Sequence, residues 1–138
     1  MIDIQLLETP LAPQACIEAV ASDRTGGTAV FIGTVRNHTR GRDVLRLEFE
    51  AYAPMAVSEM RKIAEAAQQR WQAEHISIHH RVGVLQIGEI AVIIAVATPH
   101  RQAAFEACQY AIDTLKETVP IWKKEIFTDG EVWVAAHP

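Results

Sequence analysis

Eight consecutive apolar residues, "IAVIIAVA" at positions 90–97, constrain the fold of this chain more than any other stretch. The run is far short of the ~20 residues a membrane helix needs. Rich in β-branched residues and preceded by Gly88, it reads as a strand buried on both faces. A chain of 138 residues, 49% of them hydrophobic, has enough apolar material for one such core, so residues 1–138 are expected to form a single domain.

The flanking segments supply the rest of the architecture. "IDIQLL" reads as a short strand, and Pro13 opens a brief helix where its missing N–H costs nothing. "TAVFIGTV" is a second β-branched strand, "RNHTRGRD" a polar, basic loop, and "VLRLEFEAY" a half-buried strand. Pro54 begins the clearest helix, with Ala56, Met60, Ile63, Ala67 and Trp71 in one apolar stripe. "HISIHHRV" is a strand, and Gly83 and Gly88 frame a turn region. Thr98 is expected to cap a second long helix, with Pro99 at its first position and Phe105, Cys108, Ile112 and Leu115 on its core side. Pro120 ends that helix, "IWKKEIF" is extended, and Asp129-Gly130 turns a hairpin into "EVWVA". This order predicts an α+β fold: a layered α/β sandwich, hammerhead-like, with a mainly antiparallel sheet and a small additional β subdomain.

Charge excludes some functions. The formal net charge is −4 and the sequence pI near 5.8, so no overall basic field favours nucleic acid, and anion binding must be local. Cys16 and Cys108 lie in no CxxC pattern, which points to the reducing cytoplasm rather than to a disulfide framework. The N-terminal segment has no basic stretch followed by a long apolar run and is not read as a signal peptide; no membrane association is expected.

Within this acidic chain, three cationic clusters stand out. "LKETVPIWKKE" carries Lys116, Lys123 and Lys124 around Pro120. Lys116 falls in a last helical turn, where the helix dipole alone favours a cation. Lys123 and Lys124 sit on an extended segment and face opposite ways; lysines on a solvated edge strand would look the same. "TPHR" places His100 and Arg101 in a first helical turn, where the dipole opposes cations and an anion is welcome, though Arg101 reaching into solvent is equally compatible. "TVRNHTRGR" sets Arg36, His38, Arg40 and Arg42 on a loop leaving a core strand, either over a pocket or in solvent. His79 and His80 are adjacent, face opposite sides of a strand, and cannot share one metal ion; no metal site and no cofactor are predicted. Together the clusters describe a pocket for a small phosphorylated substrate.

The same stretches resemble the large, catalytic subunit of molybdopterin synthase. The matching pieces are "FIGTVRNHTRG", "LEFEAYAPMA", "HRVGVLQIGE", "ATPHRQAAFEACQYAIDTLKETVPIWKKE" and "GEVWV", in order along nearly the whole chain. The resemblance implies a sulfurtransferase that converts cyclic pyranopterin monophosphate to molybdopterin by installing a dithiolene. Its sulfur donor would be a small ubiquitin-like subunit ending in a Gly-Gly thiocarboxylate, bound at each end of a central homodimer to give a heterotetramer.

Carried over to this sequence, Lys116 and Lys123 match the family's two key lysines. Thr34, Val35 and Arg36 match a substrate-binding strand end, His100 and Arg101 a pair at the second long helix, and Lys124 and Glu125 an extension of the binding segment. By the same resemblance, the neighbouring protomer completes part of the pocket. Arg36, His100 and Arg101 are expected to hold the phosphate and the incoming terminus, with Lys116 near the reacting carbonyl and Glu125 orienting Lys123. Crowded cations would lower the pKa of one lysine. The short tail after "VWVAAH" leaves little chain to contribute to a partner groove. A non-catalytic docking module for a ubiquitin-like protein is the rival reading; an RNA-binding loop is disfavoured by the acidic balance.

Overall fold

In the computed structural model, residues 1–135 are described; the short tail discussed above, at 136–138, lies outside them. The run at 90–97 forms β7 (Ile90–Thr98), one of the two central strands of a sheet ordered β1-β5-β7-β2, with β1 at Ile2–Leu7, β5 at His75–Arg81 and β2 at Gly27–Thr34. Only the β1–β5 pair is parallel. As its composition predicted, β7 is covered on both sides. Val92, Ile94 and Val96 face one core with α2 (Ala53–Trp71) and α3 (Arg101–Thr118), while Ile93, Ala95 and Ala97 meet Cys16 and Val20 of α1 (Pro13–Val20). The alternation of a strand thus divides one apolar run between two layers.

A second sheet is built around β4 (Arg42–Ala51). It pairs with β8 (Ile121–Phe127), which continues into β9 (Gly130–Ala135); β3 (His38–Thr39) and β6 (Gly83–Gln86) also pair with β4. The mainly antiparallel α+β sandwich with a smaller β unit is therefore present.

Local details differ from the expectations in four places. The basic loop is a tight β3–β4 hairpin, because Arg40 and Gly41 both take positive φ (51° and 77°), the backbone of a two-residue turn matched to strand twist. The Gly83–Gly88 region contains β6 rather than turns alone. At α3 the cap is His100, not Thr98: Thr98 ends β7 fully buried, its hydroxyl donating to the His100 carbonyl at 2.5 Å, and Pro99 stays outside the helix. Phe105, expected in the core, is instead 64% exposed.

Between β1 and β5, Ser77 Oγ and His79 Nε2 both donate to Asp3 Oδ2, at 2.8 and 2.7 Å. Asp3→Ala strands two largely buried donors and should cost about 1–3 kcal/mol, visible as a lower urea midpoint. An unchanged midpoint would mean that water satisfies both donors.

Candidate active site

The cleft forms where α3, β2 and β5 end against the inner face of the second sheet. The last turns of α3 bring Leu115, buried, and Lys116, solvent-exposed at the cleft; the end of β2 brings Phe31, Gly33 and Thr34. The inner face of the second sheet adds Leu47 and Phe49 from β4 and Lys123 from β8, and β5 contributes His80. The inner hollow is about 140 Å³. It opens into an outer one of about 470 Å³ that shares Thr34, Lys116 and Lys123 and adds Arg36, His38 and Glu125. Of the two, only the outer hollow by itself reaches the roughly 300–1,000 Å³ typical of ligand sites, and the inner one adjoins it through the shared Thr34, Lys116 and Lys123. Gly33 keeps the wall thin, since a Cβ there would come within 2.8 Å of Val92.

Why these residues meet follows from their elements. Pro120 breaks the chain after α3, and the peptide at Ile121, whose N–H bonds to the Val119 carbonyl, starts β8 running back along β4. Lys116 is thereby left on one side of the break and Lys123 on the other, both turned to the same hollow. Alternation along β8 sends Lys123 and Glu125 inward and Lys124 outward.

Of the nine residues proposed from the sequence, Thr34, Arg36, Lys116, Lys123 and Glu125 line the cleft. Four do not. Val35 is a core residue, its backbone exchanging hydrogen bonds with Glu89 and Gly88. Lys124 lies on the opposite face, 3.7 Å from Glu131 and over the Trp133 ring. His100 and Arg101 border a separate hollow at the start of α3 with Gly26 and Gln102. Fifteen residues of helix, about 22 Å at 1.5 Å per residue, part Arg101 from Lys116. The three cationic clusters therefore do not converge within one copy of the chain.

The basic hairpin also divides. Arg36 and His38 reach the cleft, whereas Arg42 holds the β8–β9 turn through Asp129 at 2.7 Å and stacks 3.8 Å from the Phe127 ring centroid.

Burial holds the Lys123 ammonium below the ordinary lysine range. Glu125 works against that effect, while the positive charges of Lys116, Arg36 and Arg40 add to it. No carboxylate among the described residues lies within 4.0 Å of its Nζ, so Glu125 acts on Lys123 through space and not as the expected ion-pair partner. A crowd of cations with little local neutralisation is what an anionic ligand would relieve.

Among the cleft residues not proposed from the sequence are Phe31, Leu47, Phe49 and His80. Three are apolar and looked like core. His80 could have been found from its position opposite His79 on a strand, but nothing local showed which face met a cavity. As expected, the two rings point to opposite sides, His79 to Asp3 and His80 to the cleft. Among the described residues no cluster of His, Cys, Asp and Glu is arranged to hold a metal ion.

His80 is almost completely buried. Burial pushes its pKa down to about 4 from 6.5, against the opposing hydrogen bond to the Arg81 carbonyl. Below pH 6.5 the unfolded chain takes up a proton that the folded ring refuses until about pH 4. The folded state therefore loses stability as pH falls through that window, by about 3 kcal/mol in all. Urea unfolding of wild type and His80→Gln across this range should show that difference in slope; parallel pH dependences would mean that the ring is solvated.

Comparison with known proteins bears on this geometry. The model of a family described as MoaE protein matches residues 6–118. The molybdopterin synthase catalytic subunit of Bacillus subtilis (strain 168) is 48% identical over 130 residues, covering 94% of this chain and 83% of that protein. A crystal structure of molybdopterin synthase from Staphylococcus aureus superposes with a TM-score of 0.90 at 42% identity, covering 94% and 95% of the two chains. A complex of subunits 1 and 2 of the molybdopterin-converting factor from Helicobacter pylori, 20% identical with a TM-score of 0.77, shares the fold.

Proposed function

Because the chain belongs to the MoaE protein family, we infer that it is the catalytic subunit of a molybdopterin synthase. Its reaction is sulfur transfer from the C-terminal thiocarboxylate of a small ubiquitin-like carrier to cyclic pyranopterin monophosphate, giving the molybdopterin dithiolene. The observation that carries this reading is that Lys116 and Lys123, from α3 and β8, turn into one cleft with Arg36 and Thr34.

Arg36 binds the phosphate, Lys116 stands at the thiocarboxylate carbonyl and stabilises the oxyanion that develops there, and Lys123 serves as the lysine most ready to release a proton. Glu125 tunes Lys123 electrostatically. Residues 1–138 act as one domain in the cytoplasm, a reading supported by two buried free thiols, Cys16 and Cys108, and by the absence among the described residues of a helix long and apolar enough to cross a membrane.

His100 and Arg101 belong to the site of a second copy. β2 is an edge strand, with Val30 and Ile32 exposed along it and Phe105 beside them over an apolar hollow. Gly27, at its start, is packed so closely that a Cβ would lie 2.9 Å from Arg101 Cα. Antiparallel pairing of two β2 strands about their midpoint sets Gly27 of one copy opposite Thr34 of the other. The Arg101 that rides on Gly27 then faces the neighbour's Lys116 cleft.

Incubation with the thiocarboxylated carrier and cyclic pyranopterin monophosphate, followed by the fluorescence of oxidised molybdopterin, tests the assignment. Turnover is expected. A protein that binds the carrier but neither binds nor converts the pterin would instead be a docking module.

A further inference from the structure

The cleft holds one feature that the cationic site leaves unused. His80 lies at the inner hollow, with its ring edge against Phe49 at a centroid distance of 5.4 Å. Its Nδ1 is 2.8 Å from the Arg81 carbonyl oxygen. A carbonyl only accepts, so Nδ1 carries the proton and Nε2 is a bare acceptor. No donor among the described residues bonds Nε2. His80 lines the inner hollow, and Nε2 is not among the fully buried side-chain atoms left without a partner in the described residues.

The neighbouring cations are of the other kind. Lys116, Lys123 and Arg36 only donate, so an anion bound by them satisfies the cations and offers nothing to Nε2. A ligand that fills both hollows must bring an anionic end for the outer one and an N–H or O–H donor for the inner one.

We propose that His80 is a specificity-determining residue whose Nε2 accepts a hydrogen bond from an N–H or O–H of the bound heterocycle, while the cations of the outer hollow hold its phosphate. This rests on the substrate class inferred above. The fixed tautomer makes the contact selective, because a ligand that presents an acceptor at this point would meet a lone pair and leave a buried polar group unpaired. The burial that keeps the ring neutral preserves that acceptor across the physiological pH range.

Binding of cyclic pyranopterin monophosphate and of inorganic phosphate, measured by calorimetry on wild type, His80→Met and His80→Gln, tests the assignment. Wild-type affinity for the pterin is the control for the substrate class, and its absence would overturn that reading separately. Given wild-type binding, His80→Met should weaken the pterin about tenfold and leave inorganic phosphate unchanged, whereas His80→Gln, which retains an acceptor, should stay within about threefold. In wild type labelled with nitrogen-15, the unprotonated Nε2 resonance should move upfield when pterin is added and stay in place with phosphate. Equal pterin affinity in His80→Met, equal losses for both ligands, or an Nε2 signal indifferent to pterin would each overturn the proposal.

Discussion

Replacing Lys116 with alanine is expected to reduce molybdopterin formation by about 100- to 1,000-fold, the usual effect of removing one group that stabilises a developing oxyanion. The fold should hardly register the change. Lys116 is exposed at the end of α3 and forms none of the ion pairs among the described residues, so the loss is confined to its match with the helix dipole, about 0.3–1 kcal/mol. Binding of the carrier should persist, since Arg36 and Lys123 remain. Lys116→Arg separates two roles. Arginine keeps the charge but does not give up its proton, so recovered activity would indicate electrostatic stabilisation, and continued inactivity would indicate a nucleophile or proton carrier. Turnover close to wild type in Lys116→Ala would remove this residue from the chemistry altogether.

Mixing two inactive variants should restore activity. Arg101→Ala and Lys116→Ala are each expected to fall below a few per cent of wild type, because each removes a cation from every site of a symmetric dimer. In a heterodimer of the two, one site draws Lys116 from one copy and Arg101 from the other, and is whole; the second site lacks both. With half of the dimers mixed and one of their two sites intact, an equimolar co-refolded sample should reach about a quarter of wild-type activity. The expectation follows from the 22 Å or so of helix separating the two residues within one chain, together with the open edge of β2. No recovery, with dimers confirmed by light scattering, would place Arg101 outside the shared site.

Much of this was legible in the primary structure. The apolar run at 90–97 announced a strand covered twice, and the two stripes at 56–71 and 105–115 announced the helices that cover one side of it. Proline and glycine marked the ends of elements where the cations collect, and strand alternation separated Lys123 from Lys124 before any coordinates. The misplaced details have local causes. Phe105 fits a helical stripe, but the edge beside it, β2, is open, so nothing covers that part of the stripe. Thr98 has the chemistry of a cap, yet β7 holds it two residues too early and its hydroxyl serves the His100 carbonyl instead.

Periodicity and charge at element ends are properties of neighbours along the chain, and the residues alone determined them: a two-sided core strand, three helices, and cationic side chains at the ends of elements. Which of those side chains share a cleft depends on strand order and on how a second sheet folds over the first. Arg36, His80, Lys116 and Lys123 meet only because the ends of β2, β5 and α3 lie beside the start of β8. That was decided by tertiary structure, since contacts between residues so far apart in the chain are chosen by burial of the whole core and leave no mark on any local pattern.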